Sequence, residues 1–164
     1  MGIYAAKELI AQARRLAADY RRTVGRPLPG ISNEIAEYDA ISLLGLQSVD
    51  DKSQGYDAID LGNGERIQIK SRTLFDESKN SSARIGQLKM NQEWDAVMLV
   101  LMDEDYQPVE IYQASRADLE EYVSQASASR AKRGALSVAR FKIIGELRWT
   151  RENGLEDGYW VNQE

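Results

Sequence analysis

The sequence predicts an α/β domain in which a mixed β-sheet is flanked by α-helices. Three observations predict it. Apolar residues recur at three- and four-residue steps over residues 3–24 and again from Ile35 to Leu44, the period of amphipathic helices. Residues 55–72 read as two strands around Asn63-Gly64, the strongest short-range hairpin signal. Ala96-Val97-Met98-Leu99-Val100-Leu101 is a continuous apolar run, expected of a central strand buried on both faces.

The first helix places Ile3, Ala6, Leu9, Ile10, Ala13, Leu16, Ala17, Tyr20 and Val24 on its apolar face. Arg14, Arg15, Arg21 and Arg22 lie opposite and read as a solvated face, with phosphate contact as the alternative. Pro27-Leu28-Pro29-Gly30 ends this segment. Ser32 is the expected N-cap of a second helix running to about Leu46, and Gly45 is its expected stop. Its stripe is Ile35, Tyr38, Ile41 and Leu44, with Ala40 and Leu43 beside it, and Glu34 and Glu37 border that stripe. The helix macrodipole accounts for Glu34 in the first turn. Glu37 stands one turn further in, nearer the core, and that account does not reach it.

In the hairpin, taking Asn63-Gly64 as the centre of a type I′ turn makes Leu61 face Arg66, Asp60 face Ile67, Ile59 face Gln68 and Asp57 face Lys70. Gln68 and Lys70 then share one face of the second strand with Asp57 opposite. Opposed residues have Cβ atoms about 4.5–5.5 Å apart, so an aspartate, a carboxamide and a lysine converge. Residues 76–82 read as a polar loop, followed by Arg84, Gln87 and Lys89. After the central strand, Val109 to Gln113 alternates as a half-buried strand. Ser115 caps a helix to about Ala126 with Leu119, Tyr122 and Val123 inward. Val138 to Leu147 reads as a last strand, Arg140 and Lys142 alternating with Phe141 and Ile143, and Trp149 and Trp160 are expected to pack back on the domain.

The totals narrow the chemistry. A chain of 164 residues suits one domain: an N-terminal helix and linker over 1–30, a motif-bearing core over 31–113, and a C-terminal helix, basic loop, strand and tail over 114–164. No apolar run approaches 18 residues, so no membrane span is expected. Met1 to Lys7 lacks an apolar signal region, and the expected location is cytoplasmic. The absence of cysteine excludes disulfides and thiolate zinc sites. The absence of histidine excludes imidazole bases, Ser-His-Asp triads, HExxH zinc sites and HNH-type nucleases. Catalysis would have to use carboxylates, lysine or a hard metal held by oxygens. With a net charge of −5, a nucleic-acid partner needs a local basic face. From Arg130 to Arg151 there are seven basic residues against one acid, Glu146, which favours a phosphate-facing surface there.

A glutamate on a preceding helix, an aspartate at a strand, then Asp/Glu/Gln-x-Lys on the next strand resembles the PD-(D/E)XK nuclease superfamily. The parts here are Glu37, Asp57, Gln68 and Lys70. Glu37-Tyr38-Asp39-Ala40 leading to Leu43-Leu44-Gly45 resembles the GExxA…L helix of small bacterial members. Gly55 to Asp60 with Gln68-Ile69-Lys70 is similar to the variant of Mrr-type restriction domains, where glutamine replaces the usual acid. Tyr56 stands where proline is common before the aspartate. The resemblance covers residues 31–113 and implies a restriction-endonuclease-like sheet and a metal-dependent endonuclease acting on DNA. It implies Mg²⁺ or Mn²⁺ held by Glu37, Asp57, Gln68 and the Ile69 carbonyl, with Glu34 as a further ligand or supporting group, and Lys70 positioning the water. It implies phosphate contacts from Arg72, Arg84, Lys89, Arg130, Lys132, Arg133, Arg140 and Lys142. Cutting two strands makes a homodimer an option. The alternatives are a catalytically inactive nucleic-acid-binding domain of the same fold, or a protein-interaction domain using acidic patches such as Asp103-Glu104-Asp105 and Glu120-Glu121.

Overall fold

Two long helices precede the sheet. The computed structural model describes residues 3–75, 83–86, 88–125 and 136–156. Helix α1 spans Ile3–Val24 and α2 spans Ile31–Leu44. The strands are β1 Gln47–Ser48, β2 Ala58–Asp60, β3 Glu65–Thr73, β4 Ala96–Met102 and β5 Pro108–Ser115. Helices α3 Arg116–Gln125 and α4 Val138–Ile144 follow, then β6 Glu146–Thr150 and β7 Gly154–Leu155. The seven strands lie side by side in chain order, antiparallel except for β3 and β4, which run parallel. A mixed α/β fold is therefore what the sequence makes. Among the described residues no helix is long and apolar enough to cross a membrane.

The core has two halves, one on each face of the sheet. Met98, Val100 and Met102 of β4 pack with Ile67 and Ile69 of β3 under α1 and α2. Val97, Leu99 and Leu101 face the other way, toward Ile85, Leu88, Leu119, Val138 and Phe141. All seven residues of β4 are buried, which is why its sequence is unbroken apolar. On β3, Ile67, Ile69 and Ser71 are buried while Gln68, Lys70 and Arg72 alternate onto the second face.

Four expectations are corrected. First, the apolar stripes of α1 and α2 turn out rotated. Ala17 and Ala18 are buried on α1 while Leu9, Leu16 and Val24 are exposed; on α2 the buried residues are Ile35, Ala36, Asp39 and Ala40. Small residues let the helices approach, and Arg14 neutralises the buried Asp39. Its Nη1 and Nη2 donate to Oδ2 and Oδ1 at 2.9 and 2.8 Å, and Nη1 also donates to the Tyr106 carbonyl. Arg14 is thus a structural side chain and not part of a solvated face. Second, Ser32 is not the N-cap; Gly30, in the left-handed region at φ 84°, leads directly into α2. Gly45 does stop the helix, as expected.

Third, the hairpin turn holds four residues, 61–64. Asp60 pairs with Glu65, Ile59 with Arg66 and Ala58 with Ile67. A type I′ turn needs positive φ at both central residues, and only Gly64 has it. Side chains close the loop instead: Asp60 Oδ1 accepts from Gly62 N and Asn63 Oδ1 from Glu65 N, each at 2.9 Å. Fourth, residues 138–144 are helical, not a strand. Ser137 Oγ caps this helix by accepting from Arg140 N at 3.1 Å. Val138 and Phe141, three apart, both turn inward while Ile143 is exposed. The last long strand starts later, at Glu146, and carries Trp149 against the first core half.

Candidate functional site

Asp57 is placed by a tight approach. Gly55 sits at φ +90°, and a Cβ there would meet the Gln92 side chain at 2.4 Å, so only glycine lets the loop pass. Beyond it the chain joins β3 side by side. Asp57 N donates to the Ile67 carbonyl and Ile69 N donates to Asp57 Oδ2, both at 2.8 Å. The aspartate therefore brackets Gln68, the residue between them. Ile69 enters the site through its backbone, since its side chain belongs to the core.

Glu37 reaches this edge from α2, its side chain 17% exposed. Lys52, in the loop between β1 and β2, donates to both Glu37 oxygens at 2.5 Å and stands 4.0 Å from Asp57 Oδ1. One ammonium thus links two carboxylates from different elements. Burial holds the Glu37 carboxyl above its ordinary pKa; Lys52 opposes the shift, and the charges of Asp57 and Glu34 add to it. Burial lowers Lys52, but its hydrogen bond to Glu37 and the carboxylates of Glu37, Asp57 and Glu34 outweigh that and leave it raised. Glu34 is exposed in the first turn of α2, close enough for its charge to reach both.

Gln68, Lys70 and Arg72 lie on the opposite face of β3 from α2, beneath the segment containing residues 83–86. A Cβ on Gly86 would stand 3.6 Å from Lys70 Nζ, so the backbone passes close over that ammonium. Burial lowers the Lys70 pKa, the charges of Arg72 and Lys89 lower it further, and Asp57 opposes them. Arg72 Nε donates to the Arg84 carbonyl and Nη1 to the Ser71 carbonyl, and burial lowers its pKa too. Gln68 Oε1 is inaccessible to solvent and accepts no hydrogen bond. A buried carbonyl oxygen left this way costs about 1–3 kcal/mol.

The structure brings Glu37 and Asp57 together through Lys52, and Asp57 together with Gln68, Ile69 and Lys70. Arg72 and Lys89 lie beside that group, and Arg84 follows Arg72. Two basic residues are engaged elsewhere. Lys142 pairs with Glu110 on β5 at 3.2 Å and lies over the Tyr112 ring at 5.5 Å. Arg140 lines a groove of about 290 Å³ with Asp118, Glu121, Tyr122, Gln125 and Ile144. Arg130, Lys132, Arg133, Trp160 and the loop 76–82 lie outside the described residues.

Lys52 is the residue that reading the sequence missed. It sits in Asp50-Asp51-Lys52, a polar loop with no periodicity to assign its direction. Only the meeting of α2 with this loop makes it part of the site.

The side-chain oxygens of Glu37, Asp57 and Gln68 are hard donors of the kind Mg²⁺ and Mn²⁺ take. Two are carboxylates, and the unpartnered Gln68 Oε1 is a neutral oxygen suited to a cation. Among the described residues no three or more Asp, Glu, His or Cys side chains gather to hold a metal ion. The donor set fits a site of low charge and does not fit a three-carboxylate cage. No family model matches the chain, and no curated protein matches it.

Proposed function

We propose that this protein is a metal-dependent DNA nuclease with a PD-(D/E)XK-like, restriction-endonuclease-like site. The observation that carries the reading is Gln68 Oε1: a buried, unpartnered carbonyl oxygen on the residue whose two backbone neighbours, Ile67 and Ile69, are hydrogen-bonded by Asp57, with Lys70 two residues on along the same face. A structural hairpin has no use for such an atom, whereas a bound cation satisfies it. When bound, Mg²⁺ or Mn²⁺ would polarise the scissile phosphate and lower the pKa of a water.

The protein's own groups supply the rest. Glu37, Asp57, Gln68 and the Ile69 carbonyl offer the oxygens. Lys70 has an ammonium whose pKa burial lowers; it would orient a water or offset charge on the phosphorane. Arg72 and Lys89 add positive charge where the phosphate would lie. Two copies acting together would cut both strands.

The test is incubation with supercoiled, linear and branched DNA in Mn²⁺, comparing wild type with Lys70→Ala. Nicking or cleavage by the wild type is expected, falling by about 10²–10⁴-fold in the variant. Cleavage undiminished by Lys70→Ala removes that lysine from the chemistry. A second reading, binding of nucleic acid without turnover, is favoured by the low carboxylate count among the described residues. It predicts a salt-sensitive shift of DNA mobility with no products at any metal concentration.

A further inference from the structure

We propose that Lys52 is the built-in counter-cation of this site. Its ammonium joins Glu37 to Asp57 in the metal-free protein and leaves when a divalent ion takes both carboxylates. The inference rests on the reading of the site as a metal centre and adds a residue that sets the threshold for metal.

The geometry is that of a resident cation. Lys52 Nζ donates to both oxygens of Glu37 at 2.5 Å and lies 4.0 Å from Asp57 Oδ1. The two acids come from α2 and from the loop before β2, so one ammonium neutralises carboxylates from two different elements. Charge-assisted hydrogen bonds of this kind are about twice as strong as neutral ones. A divalent ion on Glu37 would have to break them and would repel the ammonium left nearby.

The same loop also lets the lysine leave. The Lys52 carbonyl accepts from Gly55 N at 3.1 Å, and Asp51 Oδ1 accepts from Ser53 N at 3.0 Å. The backbone is therefore held in a turn while the side chain, 42% exposed, has solvent to swing into. A four-carbon stem with a compact charge suits that motion. A fixed guanidinium fork would not.

The experiment is calorimetric titration of Mn²⁺ into wild type, Lys52→Met, Lys52→Arg, Asp57→Ala and Lys52→Met/Asp57→Ala, with thermal melts in chelator and in Mn²⁺. Lys52→Met is expected to bind Mn²⁺ about tenfold more tightly than wild type, the equivalent of about 1.4 kcal/mol. Lys52→Arg keeps the charge in a less readily displaced form and binds Mn²⁺ more weakly than wild type, and the double variant loses the gain. In chelator Lys52→Met melts below wild type, because Glu37 and Asp57 then face each other without a cation, and Mn²⁺ reverses the loss. If Lys52→Met does not fold, Lys52→Gln carries the same expectations. Affinity in Lys52→Met no tighter than wild type, while Asp57→Ala still abolishes binding, overturns the role of Lys52 and leaves the metal site standing. No Mn²⁺ uptake by either wild type or Lys52→Met overturns both.

Discussion

Replacing Gln68 by methionine separates a binding site from a structural hairpin. The side chain keeps nearly its length and volume, so packing is little disturbed, and what disappears is a buried oxygen that accepts no hydrogen bond. Leaving such an atom unsatisfied costs about 1–3 kcal/mol, and Gln68→Met is expected to recover that much stability in chelator. For a chain of this size each kcal/mol moves Tm by about 2–4 °C, so the expected rise is about 2–12 °C. Urea melts should show a higher midpoint at unchanged slope.

In Mn²⁺ the ranking changes. Wild type gains stability by binding the ion, and Gln68→Met gains much less, so the advantage seen in chelator shrinks or reverses. Gln68→Glu should behave in the opposite sense: destabilised in chelator by a buried charge, and more strongly stabilised by Mn²⁺ than wild type. A Gln68→Met protein that melts below wild type in chelator would refute the reasoning. It would mean that the oxygen is satisfied and that the glutamine is there for the fold.

Three further outcomes follow from the geometry. Arg14 and Asp39 form a bidentate pair with side chains only 12% and 7% exposed, so Arg14→Ala or Asp39→Ala strands a buried charge and loses about 3–5 kcal/mol in urea unfolding; the double variant loses less than the sum, measured as a double-mutant cycle. Gly55→Ala adds a Cβ at a positive φ and 2.4 Å from the Gln92 side chain; it should lose about 1–3 kcal/mol, part of which Gln92→Gly restores by removing the side chain whose Oε1, Cδ and Cβ it meets. For Lys70 the folded pKa lies below the ordinary lysine value of 10.5, so the unfolded chain holds its proton to higher pH. Wild-type stability relative to Lys70→Met therefore rises as pH climbs through the folded pKa toward 10.5; parallel urea midpoints from neutral pH to 10.5 contradict it.

What the sequence makes legible is local. Helix α1 forms over its expected span although its buried face is rotated, β4 and β5 form where their apolar patterns lie, Gly45 ends α2, and Ser115 caps α3 by accepting from Asp118 N at 3.2 Å. Where the reading fails, the deciding partner is distant or the pattern is ambiguous. Val138-Ala139-Arg140-Phe141-Lys142-Ile143 alternates well enough for a strand, yet Val138 and Phe141 also match a helical step, and the Ser137 cap decides for the helix. Strands β1 and β7 have two residues each, too few to carry a period. The burial of Asp39 depends on Arg14, 25 residues away, and no local pattern announces it.

The candidate site shows why a wrong turn can still leave the right residues together. The observed register moves each partner by two positions, so that Ile59 meets Arg66 where Gln68 was expected. Side chains on a strand alternate with period two, so a slip of one would send Gln68 and Lys70 to the other face, while a slip of two keeps them where they were. What changes is the neighbour: Asp57 now brackets Gln68 through Ile67 and Ile69, instead of lying opposite Lys70. That moves the weight of the site from an aspartate–lysine pair to an aspartate bonded on either side of a glutamine whose amide oxygen is unpartnered, with the Glu37–Lys52 pair joined to that aspartate. An aspartate–lysine pair needs nothing more to be satisfied. An amide oxygen with no donor, on the strand that Asp57 joins, and two carboxylates that share one ammonium are groups that a cation would satisfy.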